Sequence, residues 1–337
     1  MNALVTGGAG FIGSHLTRRL LALGQGVRVL DDLSSGSAGN VAPEAELLVG
    51  DVADAATVRR AVSDVDVVFH LAAHRAVLRS VEDPLSTDRA NTHGTVTVLK
   101  EALDAGVRRV VYASSSSVYG GARELPTPES APAIPRSPYA VTKLAGEHYC
   151  RVFSALFGIE TVALRYFNVY GPGQDAASRY AAVIPIFIGA LGRGDAPEVH
   201  GDGLQTRDFT FVEDVVRANV AAAQAPAAVC DGRPFNVSGG RSFSLMELLA
   251  LLGEVMGVQP SPLHTGPRPG DVRHSCADIS AAREHLGYEP LTGFREGLQR
   301  TVARFCPFDR TDGHRHDDAP IVTPLLGLAG GRDARPL

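Results

Sequence analysis

Through the first half of the chain, apolar residues fall in short unbroken runs, separated by stretches where they recur at helical spacing. Residues 3–6, 27–30, 65–71 and 109–113 read as strands, and 13–23, 55–62 and 92–105 as helices. Strands that are apolar on both faces belong to a parallel sheet covered by crossover helices. The pattern predicts an α/β, Rossmann-type doubly wound domain over residues 1–165. Beyond it the signals mix, and Pro- and Gly-rich loops at 171–173, 201–203 and 260–270 separate short elements. A smaller mixed α/β substrate-binding region is expected over 166–306, with part of this half returning to the first domain. The apolar stretches 183–191 and 245–255 are too short to span a bilayer and read as buried or amphipathic helices. Leu245, Leu248, Leu249 and Leu252 form a stripe whose default place is the core. Residues 307–337 lack periodicity and read as an extended tail; its His314 and His316 read as part of that solvated tail and not as a metal site.

Composition narrows the class. With 45% hydrophobic and 20% charged residues among 337, the chain is neither disordered nor low-complexity. A net charge of −5 weighs against bulk electrostatic binding of nucleic acid. The four cysteines show no metal-ligand or disulfide spacing, so no metal site is expected and a reducing, cytoplasmic compartment fits. The opening residues show no secretory pattern, and no membrane contact is expected.

The chemistry begins at the first strand–helix turn. Gly7, Gly10 and Gly13 make G-x-x-G-x-x-G there. Glycine allows the tight turn and the close approach of a pyrophosphate, which the helix N-terminus then attracts. Asp31 and Asp32 end the second strand, where an acid binds the adenosine ribose hydroxyls and repels a 2′-phosphate, favouring NAD over NADP. Asp51 is a candidate for the adenine side. Tyr139 and Lys143 stand four apart and share a face if that segment is helical. An ammonium beside the phenol is expected to lower its pKa, and a nearby nicotinamide cation would do the same, making Tyr139 a candidate general base. His70 reads as a satisfied core histidine, and Tyr119 and Tyr170 as packing residues.

With these pieces in order the chain resembles the extended short-chain dehydrogenase/reductase family over about residues 1–305. The matching segments are Gly7 to Gly13, Asp51-Val52, His70 to Ala73, Ser114 to Gly120, Tyr139-x-x-x-Lys143, Arg165 to Pro172, Arg207-Asp208-Phe209 and Arg268 to Asp271. Within that family it is similar to nucleotide-sugar 4-epimerases that use tightly held NAD. The resemblance implies that Ser115 relays a proton at the sugar 4-hydroxyl, that Tyr139 is the base, and that Lys143 is its electrostatic partner. It implies further cofactor contacts at Phe11, Ile12, Ser34, Gly36, Val52, Leu71, Ala72, Ala73, Asn91, Ser114, Tyr166 and Val169. On the substrate side it implies Arg75, Ser116, Ser117, Asn168, Ala182, Val183 and Val199. Arg207 and Arg268 would clamp the diphosphate and Asp271 the uridine ribose. A homodimer through the helices at 92–105 and 145–157 is implied too.

Sugar 4,6-dehydratases of the family carry Asp-Glu where this chain has Ser116-Ser117, which weighs against a lyase. A sugar dehydrogenase would release NADH, and a non-catalytic dinucleotide sensor would lack the Tyr/Lys pair. A UDP-sugar 4-epimerase is the expected activity. The serine row slightly favours UDP-glucuronate/UDP-galacturonate; Asn168, Gln174 and Asp175 look more like epimerases of UDP-glucose or UDP-N-acetylglucosamine.

Overall fold

In the computed structural model, which describes residues 1–121, 124–175, 181–267 and 272–305, the buried residues of each early strand divide between two faces. Ala3 and Val5 pack on one side and Leu4 on the other; Val67 and Phe69 go one way and Val68 the other. That alternation, with nothing polar on either side, places these strands inside a two-faced sheet.

In chain order the strands are β1 (Asn2–Thr6), β2 (Gly26–Asp31), β3 (Glu46–Val49), β4 (Val67–His70), β5 (Arg109–Ser115), β6 (Glu160–Tyr166), β7 (Val169–Tyr170), β8 (Glu198–His200), β9 (Thr206–Asp208), β10 (Thr210–Phe211), β11 (Asp231–Val237), β12 (Ser242–Ser244) and β13 (Leu263–Thr265). Seven form one sheet in the order β11-β6-β5-β4-β1-β2-β3. Every pairing within it is parallel. This is the expected Rossmann-type fold. The chain steps outward from β1 to β3, then crosses back to β4, so strand order reverses between β1 and β4. A crevice at the carboxyl ends of the strands opens at such a point. Residue 165 lies inside β6, and β11, from the second half, pairs with it.

The helices are α1 (Phe11–Ala22), α2 (Ala55–Ala61), α3 (Val77–Glu82), α4 (Pro84–Asp88), α5 (Gly94–Asp104), α6 (Pro138–Phe157), α7 (Val183–Arg193), α8 (Val212–Gln224), α9 (Leu245–Met256), α10 (Ser280–Leu286) and α11 (Phe294–Phe305). α1 and α8 supply Leu16, Leu20, Val215 and Ala222 to one face of the sheet. α2, α5 and α6 supply Val58, Val98, Leu99 and Phe153 to the other. A third apolar cluster lies in the second half, where α7 and α9 bring Phe187, Ile188, Leu248, Leu249 and Leu252 against Tyr170, Phe209 and Phe211. The 245–255 stripe is core, as read.

The differences from expectation have physical causes. β3 is a four-residue edge strand with no fully buried residue, and its apolar run, Leu47 to Val49, is too short to stand out. α3 and α4 expose Val77, Leu78, Val81 and Leu85, which breaks the usual inward periodicity. The helix expected at 92–105 starts as a π-helical turn, Arg89–His93, before α5. No helix among the described residues is long and apolar enough to cross a membrane.

Candidate active site

The turn after β1 is shaped by what its glycines exclude. Gly7 has φ +71°, and a Cβ there would lie 2.7 Å from the backbone N of Ala72, on the loop after β4. A Cβ on Gly13 would lie 2.2 Å from the carbonyl oxygen of Gly7. Both clashes are with backbone, so neither position tolerates a side chain. Gly10 differs: its φ is −80° and its Cβ would meet only the Gly7 oxygen, at 3.2 Å. The protein's own packing asks little of it, and the space above it opens into a cavity. Gly10 caps α1 without a capping side chain, and the first turn holds no acid. The first-turn N–H groups and the positive end of the helix dipole are therefore left for an anion.

The cavity runs along the crevice between β1 and β4. It is lined by Gly7, Gly10, Phe11, Ile12, Gly13, Asp31, Asp32, Ser34, Asp51, Val52, Leu71, Ala72, Ala73, Arg75, Ser114, Tyr139, Lys143 and Tyr166 from the sequence reading. It also takes in Leu30, Ser35, Gly50, His74, Ala90 and Ala113, which that reading did not single out. Asp31 is buried and accepts hydrogen bonds from the N–H of Ala9 and of Leu33, each at 2.9 Å. It braces the glycine turn while facing the cavity, and burial pushes its carboxyl pKa up. Asp32 accepts from the N–H and hydroxyl of Ser34, at 2.9 and 2.6 Å. Asp51 is ion-paired with Arg89, a partner without a sequence signal.

The far end of the cavity is built by α6. Ser137 caps it, accepting from the Ala140 N–H at 3.2 Å, and Pro138 starts it, so Tyr139 sits in the first turn. Lys143 follows one turn later on the same face. Its Nζ donates to the carbonyl of Ala113 at 2.7 Å and lies 5.1 Å from the ring centre of Tyr112 and 5.9 Å from that of Tyr139. Burial takes the ammonium down to about 8. The Tyr139 phenol goes up, not down. Burial is the largest effect on it, outweighing a hydrogen bond with Ser115 and the positive charge of Arg75, which both pull the other way. Of the two cations expected to lower it, Lys143 spends its short hydrogen bond on Ala113, so among the chain's own groups burial prevails.

The sequence of residues 3–238 matches the model of the NAD dependent epimerase/dehydratase family. The chain belongs to that family. A UDP-glucose 4-epimerase of Mycolicibacterium smegmatis is 44% identical over 312 residues, covering 90% of this chain and 98% of the relative. A crystal structure of a UDP-glucose 4-epimerase from Thermotoga maritima with UDP-glucose superposes with a TM-score of 0.86 at 38% identity, covering 90% of this chain and 98% of that one. A UDP-glucuronic acid 4-epimerase from Bacillus cereus, with NAD and a fluorinated UDP-glucuronic acid, has a TM-score of 0.84 at 31% identity and covers 90% and 98%.

As a member of the NAD dependent epimerase/dehydratase family the protein is an enzyme with NAD as cofactor, and its residues fit that group. An uncapped helix start, an open Gly10 and an acid after β2 stand where pyrophosphate and ribose need them. Other predicted residues lie off the cavity wall. Asn91 is buried and braces the cavity instead: its amide bonds the backbone of His74, at 2.7 and 3.2 Å, and the Thr142 hydroxyl at 3.0 Å. Gly36 packs on Ala9. Ser115 accepts from the Ser117 N–H at 3.2 Å. Asn168, at φ +27°, donates to the carbonyl of Asp208 at 3.0 Å, and Val169 follows it in β7. Ala182 and Val183 begin α7. Arg207 bonds the Thr206 carbonyl at 2.9 Å. Val199 is fully buried in the third cluster, so its side chain packs the core and does not face a ligand. Arg268 and Asp271 lie outside the described residues. His70 bonds Thr6 and Thr95, at 2.8 and 3.0 Å, and is the satisfied core histidine expected.

Two outcomes follow from this geometry. Gly10→Ala should leave the melting temperature close to that of the parent but strip the purified protein of NAD, measured by its release on denaturation; full NAD content would show that nothing approaches Gly10. Lys143→Met should inactivate yet stabilise. The folded lysine titrates near 8 against 10.5 unfolded. Between those values the unfolded chain holds the extra proton, so stability rises with pH there, and below 8 the buried charge costs on the order of 3 kcal/mol. Thermal melts at pH 7 should show a gain of a few degrees for the methionine variant.

Proposed function

We propose that the protein is a UDP-sugar 4-epimerase, an isomerase that inverts C4 of a UDP-hexose. The observation that carries this reading is the meeting of the Tyr139 phenol and the Lys143 ammonium at one end of a cavity whose other end is the glycine turn, with the Ser115 hydroxyl, behind the wall, hydrogen-bonded to the phenol. The chemistry NAD supplies when bound is reversible hydride acceptance at one sugar carbon. Tyr139 Oη takes the 4-hydroxyl proton, directly or through the Ser115 hydroxyl that bonds it, and returns it on the way back. Ser115 therefore works as a proton relay and Tyr139 as the base. Lys143 and Arg75 offset the charge of the phenolate, and the burial around them strengthens that effect. Arg207, with Arg268, is assigned to the diphosphate, where a planar guanidinium pairs with two oxygens at once. The uridine end then anchors the substrate while the sugar turns over. Positions 116 and 117 are serines, which at their ordinary pKa cannot perform the acid–base step of a dehydratase. A homodimer through α5 and α6 is part of the reading; Val141, Val152 and Leu156 are exposed along α6.

The first substrate pair is UDP-glucose/UDP-galactose, supported by the Mycolicibacterium and Thermotoga relatives and by Asn168. UDP-glucuronate is the second reading. It is favoured by Ser117, whose buried hydroxyl has no protein partner and would suit a C6 carboxylate.

Incubation with UDP-glucose, UDP-glucuronate and UDP-N-acetylglucosamine, with the C4 epimers resolved by chromatography, should give one interconverting pair and no accumulation of NADH. Bulk NADH would replace this reading by a dehydrogenase. In the same assay Tyr139→Phe should lower turnover at least about 100-fold with UDP-sugar binding retained. Changing Ser116 and Ser117 together to Ala should harm UDP-glucuronate more than UDP-glucose; equal losses would remove the uronate reading.

A further inference from the structure

Tyr139, Lys143 and Glu147 follow one another at one-turn spacing on α6 and face the carboxyl ends of β5 and β6. The proposed reaction uses the first two. The third is buried as deeply as Lys143. Arg165, on β6, donates from Nε to Glu147 Oε1 at 2.9 Å and from Nη2 to Oε2 at 2.7 Å. Ser114, on the cavity wall, donates its hydroxyl to Oε1 as well. One turn back, Lys143 holds the carbonyl of Ala113. Successive turns of α6 thus grip successive residues of β5, immediately before Ser115.

The grip is itself anchored. Arg165 Nη1 donates to the Tyr119 hydroxyl at 2.8 Å and to the Glu129 carbonyl at 3.1 Å, and Tyr119 donates to Asn236 Oδ1 at 2.7 Å. A buried ion pair is a poor way to gain stability, since apolar packing of the same volume usually does as well. Its position one turn from Lys143 supplies a different reason.

We propose that Glu147 is a positioning residue for the catalytic pair: it holds α6 in register with the end of β5 and supplies the negative charge that keeps the Lys143 ammonium protonated. This rests on the reading of Tyr139 and Lys143 given above. Around the ammonium stand Tyr112 beneath it, His70 behind Tyr112, Tyr139 and Cys150 on α6, Arg165 behind Glu147, and Arg75 across the cavity. His70, Cys150 and the tyrosines are neutral and the arginines are cationic. Of these groups Glu147 is the anion. Burial is the largest influence on Lys143 and lowers it; Cys150 and then Glu147 act in the opposite direction, and burial keeps the Cys150 thiol protonated, so the standing negative charge is Glu147.

The test uses the full chain with its bound NAD. Wild-type epimerisation is measured first, and its absence would refute the reaction and leave the electrostatic half of this inference to the next measurement. Lys100 and Lys143 are the chain's two lysines, so NMR of lysine-labelled protein follows Lys143 directly, with Lys100 as internal control. In Glu147→Gln the Lys143 titration should fall by about one pH unit. The alkaline limb of kcat should move down with it, kcat should drop about tenfold, and KM should stay within about twofold. Glu147→Asp keeps the charge on a shorter stem: it should restore the titration and the alkaline limb but not kcat. An unmoved Lys143 titration in Glu147→Gln would overturn the electrostatic role. Wild-type kcat in Glu147→Asp would overturn the positioning role, and that variant, which keeps the ion pair, decides the matter if Glu147→Gln does not fold.

Discussion

Helix α6 reaches the ends of β5 because position 146 carries no side chain. A Cβ there would lie 2.2 Å from the Tyr112 hydroxyl and 2.4 Å from its Cζ. Tyr112 is itself enclosed in the core and has nowhere to go. From that one close approach the rest of the site follows. Lys143 can touch the Ala113 carbonyl, its ammonium comes over the Tyr112 ring, and Tyr139 arrives at the cavity from the turn before. The sheet contributes the other half of the constraint. Its reversal between β1 and β4 brings the glycine turn and the loop at Leu71–Ala73 so close that Gly7 and Ala72 leave no room for a methyl group. The cavity is the gap between these two close approaches.

Such a site holds charge where packing alone would not. The interior beside the cavity contains an ammonium on α6, a carboxylate one turn along, and a guanidinium on β6. The carboxylate and guanidinium satisfy each other and reach out to Ser114 and Tyr119, so they rigidify what they touch. The ammonium has one hydrogen bond, to a carbonyl, with a ring beneath it and the carboxylate one turn away. Burial still outweighs these, and it is also the group the proposed reaction needs most. Destabilisation concentrated at a functional position is the expected trade between folding and chemistry. A third buried acid, Asp208 on β9, follows a related logic away from the cavity. Burial pushes it up to about 6, while its Oδ2 accepts from the Ala277 N–H at 3.0 Å. Its contribution to stability is complete below the ordinary carboxyl range and is lost as pH rises through 6. It ties the strand carrying Arg207 to residues 275–277 at that expense.

What could be read from the sequence was what backbone geometry dictates. Gly7 and Gly13 are required by clashes with main chain, and a run such as Val67 to Phe69 is required by two covered faces. The four-residue step from Tyr139 to Lys143 is required by the pitch of a helix. Where an element answers to something else, the pattern was silent. β3 is an edge strand with half-exposed residues, and α3 and α4 turn apolar residues outward. Arg89, which neutralises Asp51, is one arginine among many until the chain folds. Asn91, placed beside the cofactor by resemblance as a support of the site, shows its partners only in the fold, where its amide holds the His74 loop against α6. The phenol's acidity answers to more than spacing. Spacing reveals that Lys143 is near Tyr139; only the fold reveals that the ammonium is already hydrogen-bonded and that burial opposes ionisation.

The two ends of the site are therefore built from different materials. The cofactor end is made of turns, strand ends and a helix terminus, where the contacting atoms are largely main chain and side-chain identity matters mainly as the absence of a Cβ. On the proposed reading the sugar end would be made of side chains: Arg75 on a loop, Ser116 and Ser117 after β5, and Asn168 before β7. A change at any of these would alter what is recognised without disturbing the sheet, because none of them carries a strand pairing of the main sheet. Substrate choice can thus drift while the frame and its NAD chemistry stay fixed. This is why the backbone of the Bacillus uronate epimerase superposes on this chain nearly as well as that of the Thermotoga glucose epimerase. On the proposed reading the frame would oxidise and restore a sugar carbon, and the serines and the asparagine would choose which sugar carries it.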